Sequence, residues 1–441
     1  MTAPTVAFAT LGCRLNQVDT REIQGLLEAR GFRTVAFADR ADVVIVNTCT
    51  VTARADFSDR QMIHRAGRIN PEARIVVTGC WAQTSPEAAA GLRGVDLVVG
   101  NGDKHRLPDL LVRLVEREQT EARRPEIHVA DVATARGLHA APLGRAPGRS
   151  RAFVKIQDGC QHRCAFCIVP FARGRSRSRG TSVVLDQARG LVEAGHPEIV
   201  LTGVDLGHYG ADLVPRTTLA VLLRRMADIP GLRWIRMSSL LPAYFTPDLL
   251  DVVTRAPAIA PHFHLPLQSG SDHVLRRMRR PYTAGMYRTL VERLTAAMPR
   301  LGLGADVIAG FPGESEADFA ETMALVDALP LTYLHVFPYS DRRGTAATGL
   351  EGHRVPSVIT ERSRRLRALG QAKNLAFRRS LAGRFEDVLV LEPRDRKSGR
   401  LVGLTGSYVE VRFDGPDELI GTLARVRVTA ATPAGTVGER A

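Results

Sequence analysis

Four short runs of apolar, mostly β-branched residues recur through the first hundred positions. Nothing else in the 441-residue chain constrains its fold more. They are residues 6–9, 43–46, 74–77 and 96–99, the last two each led by one charged residue, Arg74 and Asp96. A run without polar alternation is a strand buried on both faces. Between the first two, residues 19–30 put Ile23, Leu26 and Leu27 on one helical face, and Gly31 stops the helix. Doubly buried strands separated by helices predict a parallel sheet covered on both sides. The expectation is an N-terminal parallel α/β domain over residues 1–118.

Three cysteines fall on this pattern at one recurring place. Cys13, Cys49 and Cys80 each stand just past the carboxyl end of an apolar run, in Leu-Gly-Cys, Asn-Thr-Cys and Thr-Gly-Cys. In a parallel sheet those ends share one edge, where α/β proteins build their sites. Three cysteines far apart in sequence can therefore converge. Three separate buried thiols are the alternative.

Residues 119–150 shift to Ala, Pro, Gly and Arg and read as a linker, either a tether or a structured crossing. Strand–helix alternation returns over 151–376. Candidate strands are 152–157, 198–202, 234–238, 262–267, 304–309 and 333–337. Helical patterns fall at 185–194, 219–226, 284–297 and 316–328, with a basic one near 362–373. Six βα units suggest a partial TIM-type barrel, (βα)6, with its active face at the carboxyl ends of the strands. An open doubly wound sheet gives the same periodicity. Residues 377–441 change to short β runs with turns such as Asp414-Gly415, a small all-β barrel.

The strongest chemical signal is Gly159-Cys160-Gln-His-Arg-Cys164-Ala-Phe166-Cys167, directly after the first strand of the central domain. Three thiolates on one short loop can hold three corners of a cubane iron–sulfur cluster and leave the fourth iron open to a ligand. Zinc is the rival, with His162 as a fourth ligand, although that ring would have to fold back over its own loop. Grouped cysteines in a reducing compartment read as metal ligands rather than disulfides.

Cys160, Cys164 and Cys167, with Phe166 before the last, resemble the cluster loop of the radical S-adenosylmethionine (SAM) superfamily. The upstream triad resembles the N-terminal domain of its methylthiotransferase branch. Residues 377–441 resemble that branch's TRAM RNA-binding domain. Three segments are most similar to the subgroup acting on threonylcarbamoyladenosine in tRNA: Thr10-Leu-Gly-Cys-Arg-Leu-Asn16, Phe171-Ala-Arg-Gly-Arg-Ser-Arg177 and Arg277-Met-Arg-Arg-Pro-Tyr-Thr283. So is Leu267-Gln-Ser-Gly-Ser-Asp272. The resemblance implies a 4Fe-4S cluster at each triad. The second would reduce SAM to a deoxyadenosyl radical, while the first carries or donates sulfur. It also implies methyl transfer from a second SAM and a low-potential electron donor. The expected substrate is N6-threonylcarbamoyladenosine beside the tRNA anticodon. Isopentenyladenosine in tRNA, or an aspartate of a ribosomal protein, is the alternative acceptor. A two-cluster RNA-binding redox relay is the rival of another class.

SAM contacts are expected at Phe166, Gly203, Val204, Asp205, Ser238, Ser239, Gln268 and Gly310, most of them at strand ends. The superfamily often has a Gly-Gly-Glu-like element where this chain reads Gly203-Val204-Asp205, so Val204 replaces its second glycine and Asp205 its glutamate. Lys plus Arg number 60 against 46 Asp plus Glu, a net +14 that favours a polyanionic partner. Arg173, Arg175 and Arg177 beside the second triad, with Arg279 and Arg280, are the expected phosphate contacts. Tyr282 and Tyr408 are candidates for base stacking, though a packed tyrosine is the commoner fate. His262 and His264 share a face of one strand and, without a cysteine partner, read as packed or hydrogen-bonded rather than metal-bound. The composition excludes disordered, collagen-like and disulfide-scaffold classes. No apolar run reaches the ~18 residues of a membrane span. A cytoplasmic monomer without a membrane partner is expected.

Overall fold

The computed structural model describes residues 3–116, 124–138 and 149–441. The chain falls into two compact units, and each takes up the chain in several segments. The first unit holds the described residues of 1–143 together with 157–179 and 340–348.

Its frame is a six-stranded sheet. In chain order come β1 (Thr5–Thr10), α1 (Arg14–Glu28), β2 (Arg33–Val35), β3 (Val43–Thr48), α2 (Ala53–Ile69) and β4 (Arg74–Gly79). Then follow α3 (Cys80–Thr84), α4 (Pro86–Ala90), β5 (Val95–Val99), α5 (Leu107–Glu116) and β6 (Glu126–His128). The strand order is β2-β1-β3-β4-β5-β6, with every pair parallel. Period-two geometry explains the unbroken apolar runs. Val43, Ile45, Val76, Leu97 and Val99 face one way, against Ile23, Leu27, Leu107 and Leu111. Val44, Val46, Ile75, Val77 and Val98 face the other way, against Ile63, Ala66 and Trp81. Helix α1 starts at Arg14 rather than at the expected residue 19, so Cys13 is its N-cap. The expected linker 119–150 contains β6, which pairs with β5. Residues 119–123 and 139–148 of it lie outside the described residues.

The chain next forms β7 (Ala152–Lys155), part of the second unit, and returns to the first through the cysteine loop. There the hairpin-like pair β8 (Gln157–Asp158) and β9 (Arg177–Ser178) brackets α6 (Val169–Arg173). The sequence boundaries place this loop with the central domain. Contacts place it with the N-terminal sheet, because α3 packs on α6. Residues 340–348 join the same unit. Arg342 pairs with Asp56 at 2.9 Å, and the Ala347 amide donates to the Ala165 carbonyl at 2.7 Å.

The second unit continues with α7 (Thr181–Glu193), β10 (Glu198–Thr202), α8 (Leu219–Ala227), β11 (Trp234–Met237), α9 (Pro247–Arg255) and β12 (His262–His264). Next come α10 (Asp272–Arg277), α11 (Ala284–Ala297), β13 (Gly302–Ala309), α12 (Glu316–Ala328), β14 (Tyr333–Pro338) and α13 (Pro356–Ser380). Strands β7, β10 and β11 form one parallel sheet and β12, β13 and β14 another, bridged at Ile235–Ile259. Six βα units thus make a partial barrel, with β7 and β14 at its open edges. Strand β12 ends three residues before its expected limit. Pro266 lacks an amide for the ladder, and Gln268 adopts φ +67°.

The terminal strands β15 (Phe385–Leu391), β16 (Leu401–Thr405), β17 (Glu410–Phe413), β18 (Leu423–Thr432) and β19 (Gly435–Arg440) close into a small barrel in the order β15-β16-β17-β19-β18. Val388, Val390, Val411, Phe413, Val426 and Val428 fill it. Arg236 on β11 fastens this barrel to the larger one. Buried, it donates to Glu198 at 2.9 and 3.2 Å and to the Gly406 and Thr405 carbonyls at 2.8 and 3.3 Å. Gly302 permits the approach, since a Cβ there would lie 2.1 Å from the Ser407 oxygen.

Candidate functional site

Cys13, Cys49 and Cys80 follow β1, β3 and β4, three neighbouring strands of one sheet, so the expected edge brings them together. Two glycines make the approach possible. Gly12 has φ +86°, and a Cβ on it would lie 2.5 Å from the Cys49 Cβ and 2.6 Å from its Sγ. Gly79, at φ +101°, would clash with Thr48, the residue before Cys49, at 2.4 Å. Each glycine supplies a left-handed conformation that carries no side chain. The backbone before Cys13 and the backbone before Cys80 thereby both press on the chain at Cys49. Burial pushes the Cys49 thiol up to about 12, and the nearby Cys80 and Cys13 add to the effect. Three thiols that oppose each other's ionisation are the donor set a cationic cluster relieves.

Buried and half-buried polar side chains surround this triad. Asn16 donates to the Leu11 and Thr48 carbonyls at 2.9 and 2.8 Å, and Asn47 donates to the Asn16 carbonyl at 2.9 Å. Asp59 accepts the Cys49 amide at 3.0 Å. Burial lifts the Asp59 carboxyl to about 8, against that hydrogen bond. Lys104 pairs with Asp19 at 2.7 Å. Asn101 reaches Cys80 Sγ at 3.7 Å and donates to the Ala172 carbonyl in α6 at 2.7 Å.

The second triad occupies the loop between β8 and α6. Gly159, at φ +75°, precedes Cys160, and a Cβ on it would lie 2.1 Å from the Arg175 oxygen. The Cys160 amide donates to the Gly174 carbonyl at 3.0 Å, and the Cys167 amide to the Cys164 carbonyl at 3.1 Å. All three thiols and Phe166 are half-buried, so a ligand can reach them. Three sulfurs on one turn, with no fourth protein donor required, suit a cluster that keeps one iron open.

Arg173 links the two regions, and its place corrects the sequence reading. It is 2% exposed. Its guanidinium forks onto Asp158 at 3.0 and 3.1 Å and reaches Asn16 at 2.6 Å and Asp19 at 3.1 Å. Burial works against its charge, but Asp158, Cys80, Asp19 and Cys13 together hold it firmly protonated. Arg177, 9% exposed, donates to the Arg173 carbonyl at 3.1 Å. Neither offers a surface to phosphate. Arg175 and Arg279 are exposed, and half-buried Arg280 lies over the Tyr282 ring at 5.0 Å. Tyr282 is core: its hydroxyl donates to the Pro266 carbonyl at 2.6 Å. Tyr408 stacks on His262 at 4.4 Å.

The expected SAM contacts lie at successive strand ends of the partial barrel. Ser238 donates to the Gly203 carbonyl at 3.4 Å. Asp205 is buried and accepts from the Tyr244 hydroxyl at 3.0 Å, while Val204 is half-buried. Ser239 meets His264 Nδ1 at 2.7 Å. The Gln268 backbone bonds to β13 through the Asp306 carbonyl and the Ile308 amide. Gly310 differs from expectation. Its amide is taken by Glu314 at 2.9 Å, and a Cβ there would meet Ile359 of α13 at 2.6 Å, so helix packing accounts for this glycine. Sequence reasoning missed the Asn16–Arg173–Asp158 network and the pairing of His264 with Asp306 and His335. For the latter the visible signals were His264 itself, read as packed or hydrogen-bonded, and an aspartate within an apolar strand.

Residues 5–100 match the family described as Uncharacterized protein family UPF0004, and residues 154–326 match the Radical SAM superfamily. The threonylcarbamoyladenosine tRNA methylthiotransferase MtaB of Bacillus subtilis is 39% identical, over 97% of this chain and 94% of its own. The tRNA-2-methylthio-N(6)-dimethylallyladenosine synthase of Moorella thermoacetica is 36% identical, over 97% and 96%. Among solved structures, the radical SAM methyltransferase TsrM of Kitasatospora setae superposes with a TM-score of 0.56. It is 18% identical over 76% of this chain and 74% of its own, a likeness of fold. Together with the two triads, these matches identify a transferase: the chain belongs to the radical SAM tRNA methylthiotransferases, a family that works with two 4Fe-4S clusters and SAM.

Proposed function

We propose that this protein adds a methylthio group to N6-threonylcarbamoyladenosine beside the anticodon of tRNA. The observation that carries the reading is full-length identity of 39% to relatives bearing that activity in their name, from Bacillus subtilis and Aquifex aeolicus. A second reading, methylthiolation of N6-isopentenyladenosine, draws on the 36% identity to the Moorella synthase.

In this reading Cys13, Cys49 and Cys80 hold one cluster, and Cys160, Cys164 and Cys167 hold the SAM-binding one. When bound, these groups supply reductive cleavage of SAM and the transferred sulfur, chemistry that side chains lack. Arg173 and Lys104 offset thiolate charge around the first triad, and the Asn16–Asn47 pair fixes the backbone that carries it. Phe166, beside the last cysteine of the second triad, contacts SAM. The backbone at Gly203 and Val204, the carboxylate of Asp205, and Ser238, Ser239 and Gln268 receive SAM. Arg175 and Arg279 contact tRNA phosphates, and the terminal barrel contributes RNA binding.

The test is mass spectrometry of tRNA nucleosides from a deletion strain that has no paralogue. Loss of the 2-methylthio derivative of threonylcarbamoyladenosine, restored by the gene, is the expected result. Loss of the isopentenyl derivative instead transfers the assignment to the second reading. Unchanged methylthio-nucleosides overturn both.

A further inference from the structure

Three side chains of the partial barrel meet without any cysteine nearby in sequence. His264 is on β12, Asp306 on β13 and His335 on β14, and one ligand atom from each lies within 4.8 Å of the others. His264 Nε2 is 3.2 Å from Asp306 Oδ1, and His335 Nδ1 is 3.3 Å from the same oxygen. His264 is 8% exposed. Burial disfavours the Asp306 carboxylate, but its contacts with His264 and His335 outweigh this and hold its pKa down to about 2. The other nitrogen of His264, Nδ1, is held by Ser239 Oγ at 2.7 Å.

That arrangement has a specific chemical meaning. If Nδ1 donates to Ser239, Nε2 presents a lone pair, and this lone pair faces a carboxylate oxygen. A cation shared between these atoms joins them, a proton in the hydrogen-bonded pair or a metal ion in its place. An ion about 2.1 Å from each donor would see separations of this size under angles of roughly 100°, between tetrahedral and octahedral values. A ligating histidine whose second nitrogen is anchored by a hydrogen bond is how proteins fix imidazole tautomer and direction. His335 is exposed, which supplies a route for entry.

We infer that His264, Asp306 and His335 form a binding site for a divalent first-row transition-metal ion, with Ser239 as its positioning residue. Two imidazoles and a carboxylate suit zinc or ferrous iron, and three protein ligands leave coordination positions open to an oxygen donor. The site is independent of which adenosine the enzyme modifies.

The experiment uses the full chain with both clusters reconstituted, so that the thiols are occupied. It is incubated with zinc(II), desalted, and analysed for zinc and iron together. Crystals of the same sample are measured at the zinc absorption edge. The expected result is about one zinc per chain and an anomalous peak between the three side chains. His335→Gln, at an exposed position, and Asp306→Asn should each weaken zinc retention at least about tenfold with iron unchanged. Ser239→Ala should weaken it about 10–100-fold. Equal zinc in wild type and His335→Gln at full iron overturns the proposal. So does an anomalous peak found elsewhere, which would leave the three side chains a hydrogen-bonded buttress.

Discussion

Gly12 has no side chain because Cys49 occupies the space where one would be. Gly12→Ala must both strain φ +86° and displace the Cys49 sulfur. The variant should reconstitute with about half the wild-type iron, the loss confined to the first triad. Iron and sulfide analysis after anaerobic reconstitution reads this directly, and full iron would show that the sulfur can move aside. Arg173 and Arg175 make a contrasting pair, two positions apart in one basic run. Removing the buried guanidinium strands Asp158 and Asp19, so Arg173→Met should lower unfolding stability by about 3–5 kcal/mol in urea titrations. Arg175→Gln should stay within about 0.5 kcal/mol. It should instead reduce the salt dependence of tRNA binding by about one phosphate contact. The run itself hides this difference. Alternate arginines look the same whether solvated or buried, and the carboxylates that decide the matter are remote in sequence. Cys13, Cys49 and Cys80 were legible for the opposite reason, because each follows a strand end that the apolar runs had already marked.

Helix α12 illustrates how an element is held at its start. Ser315 and Asp318 form a reciprocal capping box, and Ser271 also donates to Asp318 at 2.6 Å. Burial disfavours the Asp318 carboxylate, but the Ser271 and Ser315 hydroxyls, the Ser315 amide and His273 outweigh it and hold its pKa well below the ordinary value. A depressed folded-state pKa adds stability above the unfolded value near 4, and this is lost as pH falls toward the folded one. Asp318→Asn should therefore cost about 1–2 kcal/mol at pH 7, and the gap from wild type should shrink progressively below about pH 4. Urea midpoints of both proteins across that range check it, and a gap that does not change with pH would refute the electrostatic account. Element boundaries were less legible than element identity. Helix α1 begins five residues before its apolar face becomes obvious, since Asn16 and Asp19 are polar groups buried for the site rather than solvated. The short strand β6 is hidden in a stretch whose composition reads as linker. Its edge position asks for little apolar surface.

At the level of the full chain, the two triads predict a stoichiometry. Wild type should hold about eight irons, and replacing Cys13, Cys49 and Cys80 together, or Cys160, Cys164 and Cys167 together, should leave about four. Iron that vanishes entirely with either set would mean that one cluster cannot form without the other. The first unit is assembled from three separate stretches, and the last of them ends at residue 348. A ribosome makes Cys80 long before it makes Arg342, the partner of Asp56. At about 5–20 residues per second the interval is roughly ten seconds to a minute. Throughout it the early thiols exist on a nascent chain whose own unit cannot yet close. They are open to whichever soft metal or oxidant arrives first. Slowing elongation lengthens that exposure and should lower the yield of correctly loaded enzyme.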